Sequence, residues 1–142
     1  MKIDKKASAV WEGGLKDGKG SVSTGSGALK NIPYGFNTRF GDTPGSNPEE
    51  LIGAAHAGCF SMALSNELGQ VEIVAKIETE ATITLEKLDA GFTVTRSHLV
   101  TTVTAKGADK AKIEAAAQGA KKNCPISKLL NAEISLDLTI NV

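Results

Sequence analysis

The sequence is short of the side chains from which most active sites are assembled. It holds two cysteines, two histidines and two arginines in 142 residues. The cysteines and histidines lack metal-ligand spacing, so no zinc or other metal site is expected. An excess of charge of one sign is also absent: 16 basic and 16 acidic residues balance. That argues against nucleic acid or an anionic membrane as a partner. The opening Met1-Lys-Ile-Asp-Lys-Lys has no apolar signal-peptide core, and no hydrophobic run is long enough for a bilayer. A soluble, cytoplasmic protein is the expectation. In a reducing compartment, Cys59 and Cys124 are more often free or redox-active than a structural staple. There is no Walker loop, no Gly-x-Gly-x-x-Gly after a strand and no internal repeat.

What is present centres on one stretch. Residues 47–69 read as a long helix, with Asn47 as cap, Pro48 in the first turn and Glu49 and Glu50 where the dipole favours carboxylates. Gly69 suits its end. Leu51, Ile52, Phe60, Met62 and Leu64 point in nearly every direction around the axis, and a helix without a polar face is a buried one. Ala54, Ala55, Ala57 and Gly58 thin its middle just before Cys59 and let another backbone come close. Upstream, residues 2–11 alternate as a strand and turn back through 19–24; a weak run covers 29–32, and 36–40 is expected as a loop or short strand. Downstream, 77–86 alternates as a strand and 92–104 is its hairpin partner. Residues 108–123 form a helix whose Ile113, Ala117, Ala120 and Cys124 share one face. Pro125 interrupts it, 126–130 makes a further turn, and 134–142 alternates as a last strand. This order predicts a single α+β domain over 1–142, with antiparallel sheets around a long buried central helix. About six strands cannot cover that helix alone, so a homodimer sharing one core is expected.

Cys59 has two readings, a small core hydrophobe or a nucleophile. The second needs a thiolate, yet a cysteine in mid-helix gains little from the dipole and burial opposes its ionisation. A cation must be brought to it. Arg39 is the candidate, since its charge survives burial, and Glu49 is suited to orienting it through a forked salt bridge. Each also has a plain reading, as a surface loop residue and a first-turn carboxylate. Cys124 is either a core thiol or a partner for Cys59. His56, three residues before Cys59, would suggest acyl transfer only with a third orienting residue, and none is evident. Phe36, Phe40, Leu51 and Phe60 are either an apolar wall or core.

Three runs carry a resemblance to a known family: Pro33-Tyr-Gly-Phe-Asn-Thr-Arg39-Phe40, the helix from Asn47-Pro-Glu-Glu through Cys59 to Ser65, and Lys122-Asn-Cys124-Pro-Ile-Ser. With the opening Lys5-Lys-Ala-Ser-Ala-Val-Trp11-Glu-Gly, they resemble the OsmC/Ohr family of organic hydroperoxide reductases, and within it the OsmC branch. The resemblance implies an intertwined homodimer with sites between subunits and a role in oxidative and osmotic stress. It implies Cys59 as the peroxidatic cysteine, Cys124 as the resolving one, Glu49 as the active-site glutamate and Arg39 as the OsmC-branch arginine. In the Ohr branch the arginine comes from the earlier hairpin, where this chain has Lys16-Asp17-Gly18-Lys19. The implied chemistry is reduction of organic hydroperoxides, with hydrogen peroxide as a secondary substrate, through a Cys59 sulfenic acid and a Cys59–Cys124 disulfide. No bound cofactor is implied. An external dithiol of lipoyl type, carried on a lipoylated protein, would restore the thiols. The alternatives are a thiol redox sensor and a structural dimer module without turnover.

Overall fold

The computed structural model covers all 142 residues, which group into two compact units, residues 1–51 and 52–142. The fold is α+β, with two three-stranded sheets and four helices. No helix is long and apolar enough to cross a membrane.

In the first unit, β1 (Ala7–Glu12), β2 (Lys19–Thr24) and β3 (Ile32–Tyr34) form an antiparallel meander in the order β1-β2-β3. Gly20 of β2 faces Trp11 on one side and Tyr34 on the other. A Cβ there would lie 2.5 Å from the Tyr34 ring and 2.6 Å from the Trp11 ring. The glycine is what lets the two rings meet, centroids 5.5 Å apart. Residues 36–40, expected as a loop or short strand, are instead the helix α1 (Phe36–Phe40). Its apolar-polar pattern is too short to reveal a period; side-chain hydrogen bonds hold it instead. Thr38 Oγ1 accepts from the Gly35 N–H at 2.8 Å and donates to the Gly35 carbonyl at 3.0 Å. The nearly buried Asn47 donates from Nδ2 to the Thr38 carbonyl at 3.3 Å.

The same Asn47 caps α2 (Pro48–Gln70), its Oδ1 accepting from the Glu50 N–H at 2.8 Å. Gly69 does not end this helix, which runs one residue further. Glu72 then takes a left-handed φ of 59°, and the Ile73 N–H bonds back to the Leu68 carbonyl at 3.0 Å. Nor is α2 buried all round within one chain. Gly53, His56, Phe60, Leu64 and Leu68 form a single buried stripe, while Ala54, Ala55, Gly58 and Met62 are exposed, Met62 at 78%. One sheet and one helix give a long apolar cylinder cover on one side only.

The second sheet has the order β4-β5-β6. β4 (Lys76–Leu88) and β5 (Gly91–Thr104) form the expected antiparallel hairpin, with a bulge at Thr84/Leu85. β6 (Glu133–Asn141) was expected to complete an antiparallel sheet, and here the expectation fails: β6 runs parallel to β5, Leu99 opposite Leu136. The helices α3 (Lys110–Asn123) and α4 (Pro125–Leu129) carry the chain back across the sheet, so it re-enters in the same direction. α3 starts two residues later than its composition suggests, because Asp109 caps it by accepting from the N–H groups of Ala111 and Lys112. The core joins the α2 stripe to Leu99 and Val103 of β5 and to Ile113, Ala117 and Ala120 of α3. Each large apolar side chain buried there stabilises by about 1.5–3 kcal/mol.

Candidate active site

Cys124 stands at the elbow between α3 and α4, and the reason is Pro125. Proline has no N–H to continue a helix and steers the residue before it toward extended backbone. Cys124 accordingly sits at φ −53°, ψ 128°. Its N–H closes α3 on the Ala120 carbonyl at 2.9 Å, and its carbonyl accepts from the Lys128 N–H of α4 at 3.1 Å. The side chain is wholly buried and donates to the sulfur of Cys59 at 2.9 Å. Both are free thiols, and Cys59 is only partly covered. Burial pushes the Cys59 thiol up from its ordinary pKa, the Cys124 thiol adds to the rise, and the backbone N–H of Ile126 opposes it. The balance favours the neutral thiol, and a positive charge brought to the sulfur would oppose it.

The cation and its carboxylate partner meet inside the first unit. Arg39 lies in the last turn of α1 and Glu49 in the first turn of α2. The Arg39 Nε lies 3.2 Å from both Glu49 carboxylate oxygens, and an Nη reaches Oε1 at 2.7 Å. This fork fixes the guanidinium plane as a single contact would not. Asn47 sets it up, because the residue that caps α2 also holds α1. The Glu49 side chain is 13% exposed and that of Arg39 35%, so the arginine retains an open side. The guanidinium lies 5.2 Å from the Phe40 ring centroid. Beside it a cavity of about 280 Å³ is lined by Trp11, Leu15, Tyr34, Phe36, Arg39 and Phe40.

Each of these pairs lies inside one unit: Arg39 with Glu49, and Cys59 with Cys124. Of the four aromatic or aliphatic candidates for an apolar wall, Phe36 and Phe40 line the cavity, the half-buried Leu51 does not, and Phe60 is fully buried core. His56 is a residue whose place the sequence did not reveal. It is wholly buried, with Nδ1 2.6 Å from Ser97 Oγ and Nε2 2.8 Å from Ser127 Oγ. Both ring nitrogens are taken by hydroxyls, and burial lowers its pKa, so it is a neutral structural histidine rather than a base for Cys59. The Ile126 N–H was equally invisible, since a backbone group carries no signal in composition or spacing.

The family model described as "OsmC-like protein" matches residues 40–139. That span includes Glu49, Cys59 and Cys124 and begins immediately after Arg39. The chain is 53% identical over 138 residues to Peroxiredoxin OsmC of Escherichia coli (strain K12), covering 96% of each. It is 27% identical over 123 residues to Organic hydroperoxide resistance protein OhrB of Bacillus subtilis (strain 168), covering 85% of this chain and 88% of that one. Among solved structures, an OsmC-like protein of Vibrio cholerae O1 biovar eltor superposes with a TM-score of 0.77 at 18% identity, covering 96% of this chain and 99% of that one.

Proposed function

The chain belongs to the OsmC-like family and is a peroxidase-type enzyme, and on that premise we propose that it reduces organic hydroperoxides through Cys59, with Cys124 resolving the product. One observation carries the reading: two free thiols lie 2.9 Å apart, and only Cys59 is open to an incoming molecule. The Cys59 thiolate attacks the terminal peroxide oxygen. The O–O bond breaks, the alkoxide takes a proton and leaves as alcohol, and Cys59 becomes a sulfenic acid. The Cys124 sulfur then displaces that oxygen. An S–S bond forms, and hydroxide leaves with the Cys124 proton as water. An external dithiol, of lipoyl type on a lipoylated carrier, reduces the disulfide by two exchanges and is itself oxidised to a disulfide.

Arg39 supplies the charge that Cys59 requires, and Glu49 keeps its guanidinium plane fixed. The aromatic cavity beside Arg39 suits the organic part of a hydroperoxide, and hydrogen peroxide has nothing with which to fill it. We further propose that the enzyme works in the cytoplasm as an intertwined homodimer in which all 142 residues serve as one domain. The exposed strip on α2 supports the dimer, because the small Ala54 and Gly58 let a second helix approach closely and a partner would cover the large apolar Met62.

The test is peroxide consumption with dihydrolipoamide as reductant, comparing cumene hydroperoxide with hydrogen peroxide. Steady turnover with the organic substrate preferred is expected. A single equivalent consumed and no further turnover would favour a redox sensor, and no rapid reaction of Cys59 at all would leave an inert dimer module.

A further inference from the structure

α4 is five residues long and cannot persist as a helix without tertiary anchors. It nevertheless belongs to the segment that delivers both groups touching Cys59, the Cys124 thiol and the Ile126 N–H. Its only buried residue is Ser127, while Leu129 is 74% exposed. Ser127 is anchored by Nε2 of His56 at 2.8 Å. His56 is in turn fixed from its other nitrogen by Ser97 of β5, a wholly buried residue of the sheet. His56 and Cys59 are three residues apart on α2 and so lie on the same side of it. The elbow therefore docks on α2 at two neighbouring points, Ser127 on His56 and Cys124 with Ile126 on Cys59.

We propose that His56 is a positioning residue for disulfide formation, holding the Cys124–Ile126 elbow on Cys59 through its hydrogen bond to Ser127. When Cys59 gains an oxygen, the elbow must accommodate it and then return the Cys124 sulfur to within bonding distance. A segment with one polar anchor returns quickly because its end stays in place. Without the anchor the elbow samples positions in which Cys124 faces away, and the effective concentration of the resolving thiol falls. Attack on the peroxide does not involve the elbow's return. A looser elbow also withdraws from Cys59 both the Cys124 thiol, which raises its pKa, and the Ile126 N–H, which lowers it, so the two effects oppose each other and the first step changes little.

The inference rests on the reading that Cys124 resolves a Cys59 sulfenic acid, and the experiment separates the two. One equivalent of tert-butyl hydroperoxide is mixed with the whole protein, and sulfenic acid and disulfide are followed by dimedone trapping and mass spectrometry. If the wild-type chain forms no Cys59–Cys124 disulfide, the reading itself fails. If it does, Ser127→Ala is expected to close about tenfold more slowly, as loss of orientation implies, with the rate of sulfenic acid formation changed by less than about twofold. Ser127→Thr keeps the hydroxyl and is expected to close at nearly the wild-type rate. Ser97→Ala removes the hydroxyl on the other side of the ring and lowers stability, but leaves the Ser127 bond in place and closure nearly unchanged. The ring itself gives the matching pair: His56→Gln extends an amide to the Nε2 position and keeps Ser127, whereas His56→Asn reaches only the Nδ1 position and loses it. Equal closure rates in Ser127→Ala and Ser97→Ala, whether both slow or both fast, would overturn the proposal.

Discussion

Which chain supplies the arginine can be decided by mixing subunits. Glu49 and Cys59 lie ten residues apart on one unbroken helix, so about 15 Å of helix rise separates their backbones. Glu49 grips Arg39 directly, at 2.7 Å, and so the arginine travels with the start of α2 rather than its middle. If two α2 helices cross antiparallel in a dimer, the start of one comes beside the middle of the other, and each site takes Cys59 and Cys124 from one subunit and Arg39 and Glu49 from its partner. Arg39→Ala and Cys59→Ser homodimers are then both inactive, for different reasons. Mixed in equal amounts and allowed to exchange, they give roughly half heterodimers by random pairing, and each heterodimer has one intact site of two. The expected yield is roughly one quarter of wild-type activity per chain, read as organic hydroperoxide consumption. The quarter should appear only after exchange and should be absent from unexchanged mixtures. Activity that stays at the level of the separate variants after verified exchange would show that each site is built within one chain.

The division of labour between the thiols should show as an asymmetry: Cys59→Ser loses peroxide reduction altogether, whereas Cys124→Ser consumes about one equivalent and stops. Equal single-turnover loss in both folded variants would refute it. Arg39→Lys keeps the charge but not the fork on Glu49, and should slow the first step by about tenfold or more. An unchanged rate and an unchanged Cys59 thiolate titration would reduce Arg39 to a surface residue. His56 gives a signature in stability. Its folded pKa is lowered from the ordinary 6.5 by burial, so below that pH the unfolded chain binds a proton that the folded chain refuses. Stability should therefore be full above about pH 6.5 and fall as pH drops toward the folded pKa, by up to about 1.4 kcal/mol per pH unit. Denaturant midpoints in His56→Gln should lose that part of the slope, and an identical slope would show that His56 titrates normally.

Much of this protein is written in local pattern. Alternation in β4 and β6 and the stripe of α3 follow from the two backbone periods, which act at short range and survive in any context. β5 was legible as the Thr- and Val-rich run that returns from the turn after β4. The cap at Asn47 and the elbow at Pro125 are equally local, since each depends on one residue's hydrogen bonds or ring. The motifs around Arg39, Glu49, Cys59 and Cys124 carry the family resemblance in sequence alone. Other features depended on where the chain goes next. The parallel pairing of β6 with β5 is set by the crossover through α3 and α4, because a strand's alternation is the same in either direction. The helical form of residues 36–40 comes from Thr38 and from the second hydrogen bond of Asn47, nine residues away. Burial of α2 on one side only depends on what packs against it, and no periodicity can report a missing neighbour. His56 meets hydroxyls 41 and 71 residues away in the chain, and the Ile126 N–H meets a sulfur across a fold. Sequence determined which groups exist and which faces they occupy; tertiary structure decided which of them touch, because hydrogen bonds and thiol contacts extend only about 3 Å while the residues that make them are scattered along the whole chain.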